Sequence, residues 1–254
     1  MRRWPFLAFA LAAPLAQRPN DARPTLFLVG DSTMADKADP ENNPEHGWGQ
    51  MLPRFVDTTR LVVRNWAANG RSTKRFIDEG KWDSVMARVR PGDYVLIQFA
   101  HNDGHVIDPA RYVNAYTGFR RNLERMVADT RARHATPILV SPVVRRYFNE
   151  SGVLTDAHGS YGYVLRRVAR DDGVAFVDLQ VATEDMVTAL GPEQSKAYYL
   201  WVAAGQYPHF PQEKHDNTHF TELGATAVAR LAAEGLRATG LPLAAALHPG
   251  LNPG

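Results

Sequence analysis

The chain of 254 residues contains no cysteine, which excludes a disulfide framework and leaves export, if it occurs, without that support. No apolar run reaches the roughly 20 residues that a membrane-spanning helix needs. Charge of either sign is scarcely in excess: 29 Lys and Arg stand against 27 Asp and Glu, a formal net charge of +2. With the basic residues dispersed, that balance argues against a nucleic-acid-binding stripe, and Arg145-Arg146 and Arg166-Arg167 read as solvated faces. Internal repeats and linker-like stretches are missing too, so the length predicts one α/β domain with a well-buried core.

What is present begins with an N-terminal segment that follows its own rules. Arg2-Arg3 precede the short apolar stretch Trp4 to Ala13, the pattern of an export signal. Residues 1–20 are read as a leader, 24–240 as the globular domain and 241–254 as a C-terminal tail. The expectation is an exported protein, periplasmic or extracellular, without a membrane span after processing.

Five short apolar runs read as buried strands: Thr25 to Val29, Leu61 to Ala67, Gly92 to Ala100, Pro137 to Val140 and Val174 to Asp178. Uninterrupted apolar strands belong to a parallel sheet covered on both faces. Helical spacing of Tyr116, Phe119, Leu123, Met126 and Val127 between the third and fourth, and a last helix from about Thr221 to Ala238, supply covering layers. The alternation predicts a three-layer α/β/α sandwich with a flavodoxin-like, doubly wound, five-stranded parallel sheet of order 2-1-3-4-5.

Chemistry-bearing residues fall where those strands end. Gly30-Asp31-Ser32-Thr33 follows the first strand and Asp216-Asn217-Thr218-His219 precedes the last helix. A serine hydroxyl becomes a useful nucleophile when an imidazole takes its proton, and a carboxylate fixes the tautomer of that imidazole. Ser32, His219 and Asp216 offer those three roles, with His219 expected to open the last helix. Either motif alone also reads as a turn or helix cap. At the ends of the second and third strands, Gly70 offers a backbone N–H and Asn102 a side-chain N–H, each suited to a developing oxyanion; the alternatives are a turn glycine and an Asx-turn residue.

Together these blocks resemble the SGNH (GDSL-type) hydrolases, most closely their rhamnogalacturonan acetylesterase group. Gly30-Asp31-Ser32-Thr33 looks like the first block, Asn69-Gly70-Arg71-Ser72 the second, His101-Asn102-Asp103 the third and Asp216-Asn217-Thr218-His219 the last. The resemblance implies Ser32 as nucleophile, His219 as base, Asp216 as its partner, and an oxyanion hole from Ser32, Gly70 and Asn102. It implies a serine carbohydrate esterase that needs no cofactor and removes O-acetyl groups from an acetylated polysaccharide or oligosaccharide, pectic rhamnogalacturonan first. Acetylxylan esterase, lipase and thioesterase activities and a non-catalytic carbohydrate-binding protein are the alternatives. One position departs from the pattern: Ala100 stands where relatives usually have glycine before His-Asn-Asp.

Other residues invite a functional reading. Arg71, with Lys74, is placed to meet a uronate carboxylate, although solvated cations at a helix start are the plainer reading. Trp201 and Tyr207 belong to an aromatic stretch from Tyr198 to Phe210 that suits either sugar stacking or packing of a long loop. His101, Asp103 and His105 alternate along one segment but lack a clear further ligand, so no metal is expected. Asp31 is read as a brace for the turn and His215 as an exposed neighbour of Asp216.

Overall fold

The computed structural model describes residues 23–248; the leader lies outside them. Five parallel strands, β1 (Thr25–Gly30), β3 (Val62–Asn65), β4 (Tyr94–Gln98), β5 (Thr136–Val140) and β6 (Ala175–Val177), form the main sheet in the order β3-β1-β4-β5-β6. Counted along the chain that is 2-1-3-4-5, the order expected from the sequence. Alternation along each strand divides the core in two. Leu26, Leu28, Leu96, Ile138 and Val140 face one layer, while Phe27, Val29, Val95, Ile97 and Leu139 face the other. The first layer is built on α1 (Trp48–Met51), α6 (Leu179–Gln194) and α7 (Glu222–Ala238), and the second on α2 (Thr73–Asp78), α3 (Lys81–Met86), α4 (Arg120–Ala132) and α5 (Ser160–Asp171). Among the described residues no helix is long and apolar enough to cross a membrane.

The sequence reading missed a second sheet. β2 (Glu45–His46), β7 (Tyr199–Val202) and β8 (Lys214–Thr221) pair antiparallel in the order β2-β8-β7. β8 reads Lys-His-Asp-Asn-Thr-His-Phe-Thr, and only Phe220 is fully buried. A strand with one core residue carries almost no hydrophobic period. Tertiary pairing makes it a strand: Phe220 lies opposite Tyr199 and His46. His219 therefore sits on β8 and does not open the last helix; Thr221 caps that helix, accepting from the Gly224 amide at 3.3 Å.

Of the predicted tail 241–254, the described residues 241–248 join the fold. The Asp57 amide donates to the Ala246 carbonyl at 2.7 Å, and Leu243, Ala246 and Leu247 are buried.

Gly224 fixes how α7 meets this scaffold, because a Cβ there would lie 1.9 Å from the Tyr198 carbonyl oxygen. In an exposed helix Gly→Ala stabilises by about 1 kcal/mol. Here backbone overpacking of about 1–3 kcal/mol or more opposes it, so Gly224→Ala should lower the thermal midpoint by several degrees in a circular dichroism melt; a rise would contradict the contact.

Candidate active site

Ser32 occupies the turn at the carboxyl end of β1, and the turn is braced from within. Asp31 is fully buried; its Oδ1 accepts from the Thr33 amide at 3.0 Å and the Thr33 hydroxyl at 2.9 Å, while its main-chain carbonyl accepts from Met34 and Ala35. Gln98, the last residue of β4, donates Nε2 to Thr33 Oγ1 at 2.9 Å and accepts from the Trp48 indole at 2.8 Å. Gly30 lets the strands approach, since a Cβ there would come 2.8 Å from the Gln98 carbonyl.

A residue the sequence reading passed over completes the brace. Lys37 is 7% exposed; its ammonium donates to the Ser32 carbonyl at 2.7 Å and Asn69 Oδ1 at 2.8 Å, and pairs with Glu45 at 2.8 Å. It ties the first block to the second. A lone lysine five positions after the serine gives no sequence signal for that task.

β8 delivers the remaining two groups. His219 Nε2 lies 2.8 Å from Ser32 Oγ, across 187 positions of chain, and His219 Nδ1 lies 2.8 Å from Asp216 Oδ2. Asp216 Oδ1 accepts from the amides of Thr218 and His219 at 2.7 and 3.1 Å, so the carboxylate curls back over its own strand. Burial pushes its acidity the wrong way, but the hydrogen bond and charge of His219 and the two amides prevail, holding the carboxyl well below the usual range. An ionised Asp216 keeps the imidazole proton on Nδ1, which leaves Nε2 as an acceptor for the serine hydroxyl. The arrangement is chemically able to deprotonate Ser32.

The other loops converge on the same sheet edge, where ligands bind in open α/β folds. Gly70 has φ of 72°, a left-handed conformation that glycine takes without strain. Asn102 donates Nδ2 to the Arg71 carbonyl at 3.1 Å, latching the third block to the second, and its Oδ1 accepts from Arg111. The latch leaves one Asn102 N–H for a ligand. Ala100 has φ of 133°, a positive angle that side chains avoid, consistent with its replacing a glycine. Asp103 is buried; its Oδ1 accepts from the Thr73 amide and hydroxyl at 2.8 and 2.6 Å, and Oδ2 has no partner.

Several predicted residues are engaged elsewhere. The Arg71 guanidinium pairs with Glu79 at 2.9 Å and donates to the Asn69 carbonyl; Lys74 pairs with Asp78 at 2.7 Å. Trp201 lies on β7, with His215 stacked on its ring at 4.3 Å, the cations of Arg146 and Lys196 near it, and its N–H donated to Asn217. Tyr207 bridges to Phe210 in the loop between β7 and β8. Of the three alternating residues, His101 meets His158, Asp103 meets Thr73 and His105 is exposed. The reading of Arg145-Arg146 as a solvated face is corrected: Arg146 is 6% exposed, bonded to Ser195 and Asn217, and Arg145 reaches the Thr218 hydroxyl and the His101 carbonyl. Sequence periodicity offered no sign of this, because both follow β5 in irregular chain.

Residues 28–227 match the GDSL-like lipase/acylhydrolase family. Rhamnogalacturonan acetylesterase RhgT from Bacillus subtilis is 37% identical over 218 residues, covering 86% of this chain and 91% of the relative. A probable rhamnogalacturonan acetylesterase of the same organism, YesY, is 32% identical over 86% of this chain and 94% of its own length. Among solved structures, B. subtilis YxiM superposes with a TM-score of 0.71 at 27% identity over 87% of this chain and 58% of that one. The Geobacillus stearothermophilus acetylxylan esterase Axe2 shares the fold with a TM-score of 0.59 at 20% identity, covering 87% and 95%. The chain belongs to the GDSL-like lipase/acylhydrolase family and is a carboxylic ester hydrolase of the SGNH type.

The Asp103 carboxyl is pushed up from 3.8 to about 7, chiefly by burial, with the Thr73 hydrogen bonds opposing and the Asp31 charge adding. Between those two values the native state holds a proton that the unfolded chain has released, so this group makes stability fall as pH rises from about 4 to about 7 and adds no slope above. Asp103→Asn should flatten that slope in urea midpoints measured across pH 4 to 8; parallel curves for the two proteins would contradict it.

Proposed function

We propose that this protein is a serine acetylesterase that removes O-acetyl groups from pectic rhamnogalacturonan through an acyl-enzyme. The observation that carries the reading is the continuous hydrogen-bond chain from Ser32 through His219 to Asp216, 2.8 Å at each link, at the carboxyl edge of the sheet. In the first step His219 Nε2 takes the hydroxyl proton as Ser32 Oγ attacks the acetyl carbonyl. The Ser32 and Gly70 amides and the remaining Asn102 N–H face the oxyanion, preorganised donors of the kind that contribute most where charge develops. As the tetrahedral intermediate collapses, the C–O bond to the sugar breaks and the imidazolium gives its proton to the departing sugar oxygen, which leaves as a hydroxyl; water repeats the sequence on the acetyl-serine, and acetate departs. These steps call on no cofactor.

The names of the relatives favour an acetyl ester on a pectic backbone, and the small net charge agrees with a polysaccharide substrate rather than a nucleic acid. The basic, then apolar, N-terminal segment supports export to the periplasm or beyond, where such a polymer is met.

Members of such a triad act as a unit, so Ser32→Ala should cost about 10⁴–10⁶ in turnover of 4-nitrophenyl acetate, and Asn102→Ala on the order of 10²–10³. Retention of most activity by the Ser32 variant would remove serine catalysis from the account. Acetate release compared across acetylated rhamnogalacturonan, acetylated xylan and simple esters tests the substrate, with the pectic polymer expected to react fastest.

A further inference from the structure

Asn102 and His219 stand on segments far apart in the chain, the loop after β4 and the strand β8. Acyl transfer needs both at once, the amide at the oxyanion and the imidazole at the hydroxyl, so the spacing of those two segments belongs to the geometry of the reaction. One side chain spans them. Arg145, half-buried in the irregular chain after β5, donates Nη2 to the His101 carbonyl at 3.0 Å and Nη1 to Thr218 Oγ1 at 3.2 Å. The first acceptor belongs to the peptide group that joins His101 to Asn102, and the second to the residue directly before His219. Nη1 also donates to Tyr147 Oη at 3.2 Å, which holds the guanidinium from a third residue.

Both ends need that support. Ala100, two residues before Asn102, has φ of 133°, a backbone angle that persists in a non-glycine residue only where the surroundings impose it. The Asn102 side chain is latched to the Arg71 carbonyl of the second block, whereas Arg145 ties the backbone of the same loop to β8. In β8 only Phe220 is fully buried, so polar ties carry much of the strand's alignment. Arg146 bonds to β8 as well, at Asn217, but its other bonds run to Pro192 and Ser195 at the end of α6, away from the oxyanion donors. A guanidinium is planar and presents its donors in a fixed fork, so acceptors on its two terminal nitrogens are held at a set spacing and angle.

We propose that Arg145 is a positioning residue for the reaction: it clamps the Asn102 loop to β8 and so holds the side-chain oxyanion donor and the base in register on one acyl group. The inference rests on the serine-esterase reading above and adds a residue to its machinery.

Turnover of 4-nitrophenyl acetate, which carries no sugar, reads the clamp and not glycan binding. With that substrate folded Arg145→Met should lose about 10- to 100-fold in kcat, the scale of an ångström-sized misplacement, with KM nearly unchanged. Thr218→Val removes one acceptor and leaves the charge in place, and should lose about tenfold. The double variant should be no slower than Arg145→Met, because the second substitution cuts a bond already gone. Arg145→Lys keeps the charge without the fork and should recover only part of the loss. Wild-type kcat in Thr218→Val, complete recovery in Arg145→Lys, a loss by Arg145→Met confined to acetylated glycan, or single losses that multiply in the double variant would each overturn the clamp. An inactive Ser32→Ala beside a fully active Thr218→Val would overturn the clamp alone and leave the esterase standing; an active Ser32→Ala would remove both. If Arg145→Met does not fold, Thr218→Val and Arg145→Lys decide.

Discussion

The hydrogen bond between His219 and Ser32 joins the first strand of the main sheet to the last strand of a separate small one, and the site exists only while both sheets hold that alignment. Each side is fixed by a different force. Ser32 is set by the burial of β1 between two apolar layers, with parallel pairing to β3 and β4 on either side. His219 is set by Phe220, whose ring is wholly buried against Tyr199, and by α7, which runs back over the same layer beside α1. Because successive residues of a strand face opposite ways, burying Phe220 turns His219 toward the site.

Around that contact the chain uses buried polar groups as ties between loops. Lys37 joins the serine turn to Asn69; Gln98 joins it to β4 and Trp48; Asp103 and Thr73 join the third block to the second, and Asn122 adds a bond to the Thr73 hydroxyl. Apolar packing alone fixes loops loosely, whereas directional bonds in a low-dielectric interior fix them to fractions of an ångström. The unpaired oxygens of Asp31 and Asp103 and the positive φ of Ala100 are local costs in that network. They lie in or directly beside the blocks that carry Ser32 and Asn102, where strain and desolvation concentrate at functional sites.

Much of this could be read from residue order. The five apolar runs announced the sheet and its winding, because strands covered on both faces leave an unmistakable composition, and polar residues at their carboxyl ends announced the site. β8 escaped notice because it buries a single ring and owes its conformation to pairing. Lys37 escaped because its role depends on where three loops meet, and Arg145 and Arg146 because arginines after a strand look the same whether solvated or enclosed. Spacing records what one element needs; it is silent on what distant elements need of one another.

The most direct measurement of the central claim is covalent labelling with a fluorophosphonate, followed by mass spectrometry of the modified peptide, in the wild type and in His219→Ala. The account predicts label on Ser32 in the wild type and its near-complete loss when the imidazole is removed. Label on another residue, or equal labelling of Ser32 with and without His219, would contradict it.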